Sequence, residues 1–283
     1  MGANPGEDAK RAPASRCGGR IDRAPATTAT ARTHRDYLEG IGNTAATADS
    51  WREKRWNRYY LQTCQYVVAQ MLRGSGVAAG TVLDVGTSHG NWLPFLRRKR
   101  FKRVLGVELH PVRAAVAQRA GYDAVHNCDA AAMPLADGSV DVAMANDVLV
   151  HVLQLADKVA VLREVERVLR PGGVFIFNHA MSPAFGLSGY QVIDHCSFVD
   201  LDGLLRLVLT GCGLRVVDIR PTYYAFTARR PTRVAEVIRN LVLSMPFGPY
   251  LRFLRDGVHA RRLGLQQSDS VYLLALKAGD EVR

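Results

Sequence analysis

The stretch Val82-Leu-Asp-Val-Gly-Thr-Ser-His-Gly-Asn-Trp92 decides the fold. The apolar run Thr81–Val85 reads as a short strand buried on both faces. It enters a turn with glycine at 86 and 90, then a helix over 91–98 with Pro94 tolerated in its first turn. Small residues at Gly86, Ser88 and Gly90 let a ligand lie against bare backbone. The free N–H groups of the following helix favour a carboxylate or phosphate there.

The same alternation continues outward. Strands are expected at Arg103–Glu108, Tyr122–His126, Val140–Asn146, Val174–Asn178, Leu214–Ile219 and Val271–Lys277. Helices are expected at Pro111–Arg119, Ala156–Leu169 and Leu201–Thr210, with Arg170-Pro171-Gly172-Gly173 as a helix stop. Strands alternating with helices of this length give an α/β fold, a parallel sheet covered on both faces. Upstream, Ser50 caps a helix over 51–73 whose apolar residues, from Trp56 to Leu72, recur at helical spacing before Gly74 and Gly76 stop it. Residues 1–50, rich in Ala, Thr, Gly and Pro without a period, read as a disordered tail. The organisation expected is tail 1–50, lid helix 51–80 and main domain 81–283. That domain carries a basic aromatic insertion over 220–268, with Tyr223, Tyr224, Phe226, Phe247, Tyr250 and Phe253 among arginines and a helix over 234–245.

Composition narrows the classes. No apolar run is long enough to span a bilayer, and the first 30 residues have no apolar signal core. Cys17, Cys64, Cys128, Cys196 and Cys212 are odd in number and contain no C-x-x-C pair, which argues against a disulfide framework or a zinc site. The expectation is a cytoplasmic protein with free thiols and no metal. The net charge of +11 suggests something anionic among its partners. The run Arg97-Arg-Lys-Arg-Phe-Lys-Arg103 reads as a solvated face, and nucleic acid is not expected as a partner.

The ligand follows from two acids. A dinucleotide site would read G-x-G-x-x-G after the strand; here Gly86 is followed by Ser88 and Gly90. Asp84, two residues before Gly86, would repel a pyrophosphate, and it suits an ammonium beside a carboxylate. Glu108, ending the second strand, can accept two hydrogen bonds from ribose hydroxyls. An amino acid joined to an adenosine-like ribose is S-adenosylmethionine.

On these residues the chain resembles the class I S-adenosylmethionine-dependent methyltransferases, in particular the "type 11" small-molecule group. The acid-x-Gly-x-Gly-x-Gly loop of that family falls on Asp84, Gly86, Ser88 and Gly90, with Ser88 a departure. Cys128-Asp129-Ala130 and Met133-Pro134-Leu135 are similar to its adenine segment, and Arg163 to Gly173 to its helix and turn before the fifth strand. The resemblance implies a Rossmann-like seven-stranded sheet, mostly parallel, with the last strand antiparallel. It also implies cofactor contacts from Asp84, Gly86, Ser88, Gly90, Glu108, Leu109, Asp129, Ala130 and Asn146.

Methyl transfer to a hydroxyl needs a base, and histidine is the usual choice. Asp147, His151, His179 and His195 follow strand ends; His195 ranks first and His151 second. The expected acceptor is a small organic molecule, methylated on oxygen or nitrogen. The insertion points to one that is aromatic, lipophilic or anionic, and a basic amphipathic helix there would suit a membrane surface. The rivals are an RNA or protein methyltransferase, an NAD-dependent oxidoreductase and a non-catalytic cofactor-binding module. Asn146-Asp-Val-Leu149 lacks the Pro-Pro-aromatic motif of RNA amino-methylating enzymes. Asp84 and the glycine spacing disfavour the oxidoreductase, and the uncertain base leaves the binding module open.

Overall fold

The computed structural model describes residues 55–222, 241 and 245–279. The tail 1–50 and the residues Tyr223, Tyr224 and Phe226 lie outside them, as does nearly all of the helix expected over 234–245.

Helix α1 (Arg55–Ser75) leads into β1 (Thr81–Val85), α2 (Leu93–Arg98), β2 (Arg103–Val107), α3 (Pro111–Ala120), β3 (Ala124–His126) and β4 (Val140–Ala145). A 3-10 turn, Leu149–His151, precedes α4 (Leu155–Val168) and β5 (Leu169–Ala180). The hairpin β6 (Gln191–Ile193) and β7 (Cys196–Phe198) follows, then α5 (Leu201–Gly211), β8 (Leu214–Thr222), α6 (Gly248–Leu263) and β9 (Ser270–Lys277).

Seven strands form one sheet in the order β3-β2-β1-β4-β5-β9-β8. All neighbours are parallel except β9, which is antiparallel to both β5 and β8. The chain winds outward from β1 to β3, then crosses to β4 on the other side of β1. In an open α/β sheet that switch marks where ligands bind, beyond the carboxyl ends of the strands.

Side chains obey the two-residue period of a strand. Leu83, Val85, Phe175, Phe177, Val271 and Leu273 face one core, closed by Val161, Leu162 and Val165 of α4 and Leu204 and Val208 of α5. Val82, Val142, Met144, Val174, Ile176, Tyr272 and Leu274 face the other, closed by Tyr59, Cys64, Val67, Val68 and Met71 of α1 and by Leu93, Phe95 and Leu96 of α2. Both faces of the sheet are thus covered, as the continuous apolar strands require. Among the described residues no helix is long and apolar enough to cross a membrane.

Several elements differ from the sequence expectation. Helix α1 runs through Gly74 to Ser75, and Gly76, at φ 65°, makes the left-handed stop. The third strand starts at Ala124, because Tyr122 turns inward to bury its ring. The Arg170-Pro-Gly-Gly stop lies inside β5 as an irregular entry: Leu169 pairs with Val140, and regular pairing resumes at Val174. Asp141 fixes that entry by accepting from Arg170 Nε at 2.5 Å and from the Thr81 amide at 2.6 Å. The hairpin β6–β7 and helix α6 replace segments read as loops.

Candidate active site

Gly86 sits at φ 72° and Gly90 at φ 80°, conformations that favour glycine. A Cβ on Gly86 would lie 2.5 Å from Val148 Cγ2, so the turn after β1 packs directly on the loop after β4. Ser88 also adopts a left-handed conformation, φ 49°. Its amide donates to Glu108 Oε2 at 2.8 Å, while Glu108 Oε1 accepts from the His110 amide at 3.0 Å. Glu108 is buried and bridges the turn to the start of α3.

Asp84 is buried at the end of β1, and Tyr122 Oη donates to it at 2.5 Å. Burial pushes its carboxyl up to about 7; the Tyr122 hydrogen bond opposes this and the charge of Glu108 adds to it. An ammonium brought beside Asp84 would favour the charged form. His110 Nδ1 is buried and has no hydrogen-bond partner among the described residues. Two carboxylates, a glycine-cornered turn and an unpartnered buried nitrogen fit the amino-acid and ribose ends of S-adenosylmethionine. Asn127 Nδ2 donates to the carbonyls of Glu108 (2.8 Å) and Leu109 (3.0 Å), tying β2 to the segment that continues into Cys128, Asp129 and Ala130. There Asp129 is exposed and shapes a turn by accepting from the Ala131 amide at 2.9 Å, with Ala130 half-buried beside it.

A second cluster stands above β4 and β5. Half-buried Asp147, at φ 56°, accepts from Tyr60 Oη (2.9 Å), Asn146 Nδ2 (2.9 Å) and Asn178 Nδ2 (2.6 Å). Its amide donates to Asn178 Oδ1 at 2.6 Å, and Tyr272 donates to Asn146 Oδ1. Burial raises the Asp147 carboxyl, against these donors. Asn178 and Tyr272 share the α1 face of the sheet by strand parity, and Tyr60 of α1 meets Asp147 on that side.

A third cluster joins the 3-10 turn to the hairpin. The rings of His151 and His195 stack 5.6 Å apart at 14°. His151 Nδ1 lies 3.0 Å from the His195 carbonyl and 3.8 Å from Cys196 Sγ. Burial drives His151 down to about 4 and lowers half-buried His195 as well. Beneath them Lys158 is wholly buried, donating to the Leu149 carbonyl and to Ser197 Oγ at 2.8 Å, with His179 Nε2 at 3.2 Å. Burial lowers Lys158 to about 7, and His179 falls to about 3 through burial and the Lys158 charge. His179 therefore belongs to the core rather than to a solvent-facing base.

The structure gathers Asp84, Gly86, Ser88, Gly90, Glu108 and Leu109 at one rim, and His151 with His195 at another. Tyr122, Tyr60, Tyr272, Asn127 and Lys158 were not anticipated. Their roles depend on partners 9 to 126 residues away in sequence, and no local motif announces them.

Residues 83–177 match the family described as "Methyltransferase domain". Over 110 residues the chain is 31% identical to a dimethylglycine N-methyltransferase from Parasynechococcus marenigrum (strain WH8102), covering 36% of this chain and 38% of that protein. It spans about two fifths of the length of the curated relatives it matches. Among solved structures, the methyltransferase of a Haloferax volcanii activator–methyltransferase complex superposes with a TM-score of 0.57 at 17% identity, over 88% of this chain and 99% of that one. The geranyl diphosphate C-methyltransferase of Streptomyces coelicolor A3(2), solved with Mg2+, geranyl diphosphate and S-adenosyl-L-homocysteine, gives 0.50 at 20% identity, over 75% and 77%. These two likenesses establish a shared fold.

Proposed function

From a chain whose residues 83–177 belong to the methyltransferase domain family, we propose an S-adenosylmethionine-dependent methyltransferase acting on a small organic acceptor. One observation carries this reading: buried Asp84 and Glu108 close adjacent parallel strands on either side of the Gly86–Gly90 turn, beside the strand-order switch.

The cofactor supplies an electrophilic sulfonium methyl; the chain supplies position. Asp84 takes the ammonium, and Glu108 exchanges its backbone amide partners for the ribose hydroxyls. Leu109 lines that pocket, Asp129 accepts from the adenine amino group and Ala130 offers its amide to the ring. Asn146, held by Tyr272, borders the methyl. His195, less buried than His151, takes the acceptor's proton, with His151 stacked behind it. Near-attack positioning of this kind supplies up to roughly 7–11 kcal/mol.

The acceptor class rests on the surroundings. Dimethylglycine and geranyl diphosphate, named for the two relatives above, are both small and carry an anionic group, a carboxylate in one and a diphosphate in the other. The basic surplus of this chain suits such a charge, and the exposed Phe247, Leu251, Leu254 and Val258 on α6 suit a lipophilic body or a lipid surface. The test is S-adenosylhomocysteine production across small amines, hydroxylated aromatics and prenyl diphosphates, with and without anionic vesicles. Turnover with at least one acceptor is expected. Cofactor binding without turnover on any of them would mark a non-catalytic module.

A further inference from the structure

We propose that His151, His195 and Cys196 form a three-ligand site for a borderline transition metal such as Zn2+, with the fourth coordination position open toward the acceptor. Each residue offers one ligand atom, and the three lie within 4.8 Å of one another. Cys196 Sγ lies 3.8 Å from His151 Nδ1. A tetrahedral zinc, with bonds of about 2.0–2.3 Å, needs donors roughly 3.5 Å apart. Small side-chain rotations close that gap.

The scaffold around the three is built to hold them. His151 ends the 3-10 turn after β4, His195 sits in the β6–β7 turn behind Asp194 (φ 53°), and Cys196 opens β7. The neighbours of the ligands are stitched together. Ser197 Oγ donates to the Val150 carbonyl at 2.8 Å, and Lys158 Nζ donates to Ser197 Oγ from below. His151 Nδ1 lies 3.0 Å from the His195 carbonyl, a contact that metal binding through this nitrogen would replace. Val150, Ala180, Cys196 and Phe198 form a separate small apolar core around the site. Such a shell limits water and strengthens metal–ligand attraction.

The donor set selects the ion. Two imidazoles and a thiolate suit Zn2+ or Co2+; Mg2+ and Ca2+ demand oxygen ligands. Three protein ligands with one open position is the pattern of catalytic rather than structural zinc. The role assigned to the ion, though not the site itself, rests on the methyltransferase reading. With the ion bound, His195 is a ligand instead of a base. The acceptor's hydroxyl or thiol binds as fourth ligand and releases its proton to solvent at a lower pH than it does when free. No local signal announces the three as a group, because His151 and His195 are 44 residues apart and the thiol belongs to no C-x-x-C pair.

The test titrates the full chain, stripped with chelator, with Co2+. We expect one equivalent bound, with tetrahedral d–d absorption and a thiolate-to-cobalt charge-transfer band. Cys196→Ser should abolish that band, and His195→Ala, at a half-buried turn, should weaken binding more than about tenfold. Cys128→Ser should change neither. Absence of the band, or a band that survives Cys196→Ser in a chain with an unchanged melting curve, overturns the site. S-adenosylhomocysteine binding by the same samples reports separately: cobalt bound without the nucleoside keeps the site and removes the methyltransferase reading, and the reverse removes the site alone.

Discussion

The rim above β1 and β2 and the rim above β4 and β5 end similar parallel strands, yet they are held in different ways. At the first, an acid side chain meets backbone: Glu108 takes the amides of Ser88 and His110. At the second, side chains meet side chains drawn from three distant elements: Asp147 is held by Tyr60, Asn146 and Asn178. The first arrangement is local and depends on backbone conformation and spacing. The second depends on how the whole domain packs. A conserved kind of ligand suits the first, and an acceptor particular to this chain suits the second.

The strongest way to break this division is at the contact joining the two rims. Gly86→Ala would force a left-handed alanine and drive its Cβ into Val148. The backbone and overpacking costs together are roughly 2–5 kcal/mol. We expect a large fall in melting temperature and loss of S-adenosylhomocysteine binding, with Val148→Ala restoring part of the stability. A neutral Gly86→Ala would show the rims to be independent.

Asp147→Ala sharpens the comparison from the other side. It strands the donors of Tyr60, Asn146 and Asn178 and should cost about 1–3 kcal/mol by denaturant unfolding, against about 1 kcal/mol for Tyr60→Phe. Nucleoside affinity should change less than in Glu108→Ala. An equal loss would place Asp147 in the cofactor site.

Two buried groups, Asp84 and Lys158, carry opposite pH signatures. Folded Asp84 keeps its proton to about pH 7, whereas its ordinary value is 3.8. Between those values the folded state binds more protons, so stability falls as pH rises. Lys158 runs the other way: it titrates near 7 when folded and at 10.5 ordinarily, so stability rises with pH across that window. Folded His151 and His179 titrate below the ordinary 6.5 and oppose Asp84 over the acidic range, so the Asp84 contribution is read as a difference. In urea unfolding, the stability of the parent relative to Asp84→Asn should decline as pH rises from about 4 to 7; a constant difference would contradict it.

These contrasts explain what the sequence disclosed. The alternating strands and the Asp84–Gly90 turn were legible because strand parity, glycine placement and strand-end acids are short-range signals; the antiparallel last strand was implied by the family resemblance alone. The β6–β7 hairpin was not, because Gln191 to Phe198 has no alternation strong enough to announce it. The partners of Asp147 and Lys158 were not, because they are chosen by packing across the sheet. His151 and His195 were named singly, and only the fold shows them stacked.

The smallest expected effect is at Ser88. Ser88→Gly removes a left-handed serine but adds unfolded-state freedom, so it should leave stability within about 1 kcal/mol of the parent. It should also retain nucleoside binding. A large loss in calorimetry would show that the serine hydroxyl itself serves the ligand.

The central claim is that the β1–β2 rim binds the nucleoside cofactor. Isothermal titration of S-adenosylhomocysteine into the chain and its Glu108→Ala variant tests it most directly. The account predicts saturable one-to-one binding, weakened in the variant by about 1–3 kcal/mol, roughly five- to 150-fold. No binding to the parent, or equal binding to both, would contradict it.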